Sequence, residues 1–229
     1  MKIKYLVPIL LIVFIFSFTG CTTSKTVAET TEAVKITEAT ATTTTAGETT
    51  AAPETTSQPV QENVDYNIGD TGPAGGFIFY INPNYKKDGW KYLEAAPGDF
   101  PVVDENGYSW YNGNYVQTGA TGIAIGTGKA NTQKIVDIQG NGSYAAKLCS
   151  ELTQGGYSDW FLPSSYEIDL MYKNLYSKGT GSFAGARFYW CSSEIDADHA
   201  WAEYFTKNNK NGFDFTKDSG LRVRAVRAF

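Results

Sequence analysis

Three groups of residues in this chain have types and spacings that could do chemistry. Tyr108-Ser109-Trp110-Tyr111-Asn112-Gly113-Asn114-Tyr115 interleaves rings with amides. Aromatic faces stack on sugars or side chains at small entropic cost, while Asn supplies adaptable hydrogen bonds. Trp110, Tyr111, Asn112, Asn114 and Tyr115 are therefore the first candidate ligand site. The competing reading is that Trp110 plugs a core beneath the loop, and the residues alone favour neither. Glu194, Asp196 and Asp198 form the second group, carboxylates at i, i+2 and i+4. Such oxygens can converge on calcium, whose ligands lie at about 2.3–2.6 Å, although a solvated acidic turn also accounts for them. The third group is Cys149 and Cys191, which in an exported protein can form a disulfide or stay as two buried thiols.

Other constellations fall short. His199 is the single histidine and adjoins the acidic run, and no Gly-x-Ser-x-Gly occurs, so nucleophilic hydrolysis lacks its parts. Gly126-Thr127-Gly128-Lys129 has the look of a phosphate loop, but Ile123 replaces the first glycine and Ala130 the Ser/Thr of that motif. A tight turn ahead of a short helix suffices there. Neither the EF-hand loop nor the Glu-Pro-Asn or Gln-Pro-Asp of calcium-dependent lectins is present. No enzyme is expected, and no cofactor beyond the calcium reading.

The elements that must position these residues are legible in part. Residues 76–81, 90–95, 189–192, 200–205 and 221–226 are rich in aromatic and β-branched residues between Gly, Asn, Asp or Pro, which predicts strands. Apolar recurrence predicts two main helices, over 143–152 and 165–176. The second opens with Ser164 and Glu167 at capping-box spacing. Gly98 to Gly142 is dominated by Gly, Asn, Thr and aromatics, which reads as a long loop. Residues 66–229 hold every tryptophan and are long enough for one α+β domain. Their 17 acidic and 15 basic residues nearly balance, which excludes a nucleic-acid partner. Arg222, Arg224 and Arg227 are expected to pair with local carboxylates or to line a sheet face.

Ahead of the domain, residues 21–65 are rich in Thr, Glu and Ala, and from Thr22 onward contain no aromatic residue. Such a segment cannot offset its ordering entropy and reads as a disordered stalk, with a reach of roughly 35–40 Å. Its composition also suits O-glycosylation, the alternative being an unmodified spacer. Lys2 and Lys4 precede an apolar run from Tyr5 to Phe18, shorter than the roughly 20 residues that span a bilayer. This reads as a signal peptide over residues 1–20. Phe18-Thr19-Gly20-Cys21 resembles the lipobox of bacterial lipoproteins, with Phe where Leu is usual. The resemblance implies cleavage before Cys21 and acylation of that residue, and two or more chains anchor stably. Membrane contact through the lipid and a place in the cell envelope, outside the cytoplasm, follow as expectations. An uncleaved anchor and free secretion are the alternatives.

Within the domain, residues 68–80 (Ile-Gly-Asp-Thr-Gly-Pro-Ala-Gly-Gly-Phe-Ile-Phe-Tyr) resemble the opening of the bacterial Lcl C-terminal domain family. Residues 124–132, 156–164, 189–194 and 223–229 agree with later blocks of the family in order. The resemblance implies a C-type-lectin-like α+β fold, distantly similar to formylglycine-generating enzymes, used for adhesion to glycan or protein. The family's namesake adhesin binds sulfated glycans through a collagen-like trimeric stalk. Here the Gly-rich opening is too short for a triple helix and the domain has no basic surplus, so neither trimerisation nor a sulfated ligand is implied. The catalytic cysteine context of the formylglycine enzymes is also missing. That leaves ligand binding as the primary expectation, with an exported enzyme or a structural envelope component as rivals.

Overall fold

The computed structural model describes residues 64–102, 106–206 and 212–229. The signal peptide, Cys21 and nearly all of the stalk lie outside the described residues. No helix among the described residues is long and apolar enough to cross a membrane.

The fold is mixed helix and sheet. Strands β1 (Phe77–Ile81), β2 (Tyr92–Ala95) and β6 (Val226–Ala228) form an antiparallel sheet in the order β1-β2-β6. Strands β3 (Arg187–Glu194), β4 (His199–Phe205) and β5 (Gly212–Thr216) form a second, in the order β3-β4-β5. Period-two alternation divides the second sheet. Tyr189 and Cys191 of β3 and Phe205 of β4 enter one buried cluster with Leu93, Ile168, Met171 and Val226. Trp190, Ala200 and Ala202 enter the other, with Trp110, Tyr144, Cys149, Trp160 and Val223. The sheet therefore separates two cores. Tyr66, among the first residues described, sets its ring edge-on to Tyr92 at 5.3 Å and to Phe229 at 5.9 Å.

The helices are α1 (Tyr85–Asp88), a single turn with no buried residue, α2 (Gly128–Gln139), which packs on β3, α3 (Ala145–Ser150), which packs on α2, and α4 (Ser165–Asn174), which packs on both sheets and is followed by a 3-10 turn at Tyr176–Lys178. Helix α4 starts where the capping box predicts: Ser164 Oγ accepts from Glu167 N, and Glu167 Oε2 accepts from Ser164 N at 2.7 Å. Helix α3 is a shorter piece of the expected 143–152 helix.

Three expectations need correction. The 98–142 loop contains α2, a full twelve-residue helix. Its buried stripe is largely polar (Asn131, Thr132, Gln139) with Ile135 the one large apolar member, so apolar periodicity gave no signal. Strand β5 was not anticipated; it is an edge strand with mostly exposed residues. The strand expected over 221–226 is mainly bridges at Leu221 and Arg222, with regular pairing only from Val226.

Cys149 and Cys191 are free thiols, both buried. The reason they do not pair is that they belong to different cores. Burial pushes both thiols up, Cys191 to about 12, which suppresses the reactive thiolate. Dithiothreitol is therefore expected to leave the melting temperature unchanged, and a thiol reagent to label neither cysteine until the domain unfolds.

Candidate functional site

The domain buries four glutamates: Glu94, Glu167, Glu194 and Glu203. Buried carboxylates are costly unless they are paired and hydrogen-bonded, and three of the four are held by backbone amides of a turn. Glu94 on β2 accepts from Gly76 N at 2.8 Å and Ala74 N at 3.1 Å, with Arg227 Nη1 at 3.2 Å. The Gly-rich opening block thus closes around a carboxylate, and a Cβ at Gly72 or Gly76 would collide with Glu94 or with the Ala95 carbonyl. Besides its capping bond, Glu167 accepts from Gly126 N at 2.8 Å. The loop with the look of a phosphate cradle spends its amide on an internal carboxylate, and a Cβ at Gly128 would strike Glu167 Oε2. Burial still pushes both Glu94 and Glu167 above the usual carboxylate range against these hydrogen bonds. Glu194 accepts from Thr118 N at 2.8 Å and Gly119 N at 2.8 Å. It also receives Lys217 Nζ at 2.7 Å, whose other two protons go to the carbonyls of Val116 and Ala197 at 3.0 and 2.8 Å.

These contacts dispose of the calcium reading. Glu194 points into a closed ion pair, whereas Asp196 turns to the backbone N–H groups of Asp198 and His199 at 2.8 and 2.7 Å. Asp198 is exposed, and no metal-competent cluster exists among the described residues. His199 Nδ1 lies 3.1 Å from Asp196 Oδ1, a local turn contact.

The aromatic loop is also placed differently from the ligand reading. Trp110 is fully buried, its Nε1 donates to Cys191 O at 2.9 Å, and Lys217 Nζ sits 4.6 Å from its ring centroid. It offers no face to a ligand. Asn112 N donates to Gln139 Oε1 at 2.9 Å, and Gln139 Nε2 donates to Asn114 O at 3.1 Å, so this loop is racked onto the end of α2. Tyr111 and Tyr115 pack on one another at 4.8 Å; Tyr115 is exposed, and Asn114 lies at the surface beside it. Arg224 and Arg227 are buried on Asp99 at 2.6 Å and Asp159 at 2.8 Å. Trp160 and Trp190 are core residues, whereas Trp201 is only half-buried.

Glu203 breaks the pattern. Among the described residues its Oε1 has no hydrogen-bond partner, although the residue is 4% exposed. It lines a cleft of about 390 Å³ between the start of α4 and the β4–β5 edge. Trp201 and Gly212 flank it on the sheet; Ile123, Tyr166 and Asp169 face it from the other side. Tyr166 and Ile123 are 51% and 43% exposed. The cleft therefore joins apolar walls to one polar group with spare capacity, the usual composition of a ligand pocket. Burial raises Glu203 from an ordinary 4.5 to about 7, offset only in part by the charge of Lys173. Because the folded value lies above the unfolded one, the native state holds a proton that the unfolded chain has released. Stability should accordingly fall as pH rises from about 4.5 to 7, by at most about 3 kcal/mol. Chemical unfolding across that range should show the decline in wild type, and Glu203→Gln should remove it.

Only two sequence signals bore on this cleft: the capping box that aims α4, and the Trp201/Glu203 spacing on a strand whose next inward residue is Phe205. No protein-family model matches the chain, and no curated protein is significantly similar to it. Among solved structures it is similar to a fimbrial protein from Bacteroides ovatus, at 13% identity and a TM-score of 0.44, covering 69% of this chain. The chain spans 45% of the length of that protein.

Proposed function

We propose that this chain is a cell-surface lipoprotein: Cys21 carries the lipid, residues 21–65 form the stalk, and residues 66–229 form a C-type-lectin-like domain of the Lcl C-terminal type that binds an extracellular glycan or protein. The cleft of Trp201, Tyr166 and Glu203 is its binding site. What supports the cleft as the site is the contrast among the buried glutamates, since three are satisfied internally and one opens, without a partner among the described residues, onto an aromatic cleft. An exported enzyme is the second reading, favoured by a carboxyl at about 7, suited to general acid–base work.

The full chain in detergent, applied to an array of glycans and matrix proteins, should retain a ligand. Tyr166→Ala should lose it while melting like wild type. Retention by Tyr166→Ala at wild-type affinity rejects the cleft, and cleavage of an arrayed polymer would favour the enzyme. For the anchor, Cys21→Ala should no longer incorporate a clickable palmitate analogue and should leave the membrane fraction. Equal labelling of both proteins would reject lipidation there.

A further inference from the structure

We propose that the cleft takes a monocationic group, an ammonium or guanidinium, seated on Glu203 against the rings of Trp201 and Tyr166. The inference rests on the cleft being the ligand site and adds the chemistry of what enters it. Glu203 Oε1 lacks a partner among the described residues, which leaves an acceptor for a donor brought by an incoming group. A neutral hydroxyl would satisfy the protonated acid but, above about pH 7, would leave an ionised carboxylate uncompensated in a buried position, whereas a cation supplies donor and countercharge together.

The surrounding groups point the same way. From α4, Asp169 and Lys173 face one another at 2.7 Å and largely cancel. From β5, Asp214 lies opposite Trp201 in the register, on the same face of the sheet as Glu203, and Gly212 opposite Glu203 itself leaves room. From β3, Tyr189 lies opposite Glu203, and the buried Cys191 thiol is neutral. Among the described lining residues the charged groups are Glu203 and the Lys173-paired Asp169, with no lysine or arginine. The rings of Trp201 and Tyr166 present negative π faces to a cation. A cleft of about 390 Å³ is at the small end for ligand pockets, the size for one side chain or a small amine rather than an oligosaccharide.

The test titrates the full chain in detergent with n-butylammonium and N-ethylguanidinium, with n-butanol as the neutral isostere. The readout is the Trp201 indole N–H resonance, identified through Trp201→Phe. Both cations should saturate this signal and butanol should not. Affinity should rise roughly 30-fold from pH 5.5 to 8 as Glu203 ionises, and Glu203→Gln should weaken binding at least tenfold and flatten the profile. Parallel arms with N-acetyl-lysinamide, N-acetyl-argininamide and glucosamine distinguish a protein side chain from an amino sugar as the source. Butanol binding as tightly as butylammonium, or Glu203→Gln binding like wild type, overturns the inference. If Tyr166→Ala loses the array ligand but no cation moves Trp201, the cleft stands and the cation falls. If cations bind yet Tyr166→Ala keeps the array ligand, the inference holds and the proposed binding site falls.

Discussion

Glu194→Ala is expected to destabilise the domain by about 3–5 kcal/mol, the usual cost of removing one partner of a buried ion pair. The substitution strands the Lys217 ammonium, fully buried, on two carbonyls, and it orphans the N–H groups of Thr118 and Gly119. Lys217→Ala should cost a similar amount, because Glu194 then keeps its amides without its countercharge. In thermal melts either loss corresponds to a fall of roughly 10 °C for a domain of this size. The double replacement Glu194→Leu/Lys217→Met should recover much of the loss, since no lone charge remains inside. Urea unfolding of wild type, the two alanine variants and Glu194→Ala/Lys217→Ala gives the coupling directly. Single variants within 1 kcal/mol of wild type would show that the 116–120 segment is held by something other than this pair.

Trp110→Ala should cost about as much, roughly 3–5 kcal/mol for emptying a site of this size, in part because Lys217 loses the ring beneath it. In a domain whose total stability is of the order of 5–15 kcal/mol, the variant should be partly unfolded at physiological temperature. Tyr115→Ala, at an exposed ring, should change stability by less than about 1 kcal/mol. The pair of measurements separates a plug from a platform. Equal, small effects would return Trp110 to the surface and restore the aromatic loop as a ligand site.

How much of this was legible depended on which chemistry filled the interior. Helix α4 was legible because its start is written in side chains, Ser164 and Glu167, and its inward face in Ile168 and Met171. Strands β1 to β4 were legible because aromatic and other apolar residues crowd into short runs bounded by Gly, Asn, Asp or Pro. Helix α2 was not, because Asn131, Thr132 and Gln139 do inside the protein what apolar residues usually do. Asn131 Nδ2 reaches Gly122 O at 2.6 Å, and Thr132 Oγ1 accepts from Leu162 N at 3.0 Å. Each side chain exchanges hydrogen bonds with a particular stretch of distant backbone, and no periodicity announces which. The candidate site was missed for a related reason. A glutamate in an aromatic strand reads as the solvent-facing member of an alternation. Only the register, with Trp201, Glu203 and Phe205 sharing a face, shows that it turns inward. Trp110 and Glu194 stood out as candidates, beside a core plug and an acidic turn as the alternatives, because they are chemically conspicuous, and the structure uses that same chemistry to hold loops.

The amide clamps on Glu94, Glu167 and Glu194 have a consequence for how such a domain can change. Each clamp grips its loop by main-chain N–H, which every residue except proline carries, so the identity of most loop side chains is irrelevant to the grip. Substitutions at the exposed positions 117, 121 and 124, which spare the buried Ala74, Thr118 and Ala120, the left-handed Gly75 and Gly119 and the tight approach at Gly122, should leave the scaffold standing. The surface can then diversify residue by residue under selection, or in a randomised library, while three glutamates beneath it keep the loops in register.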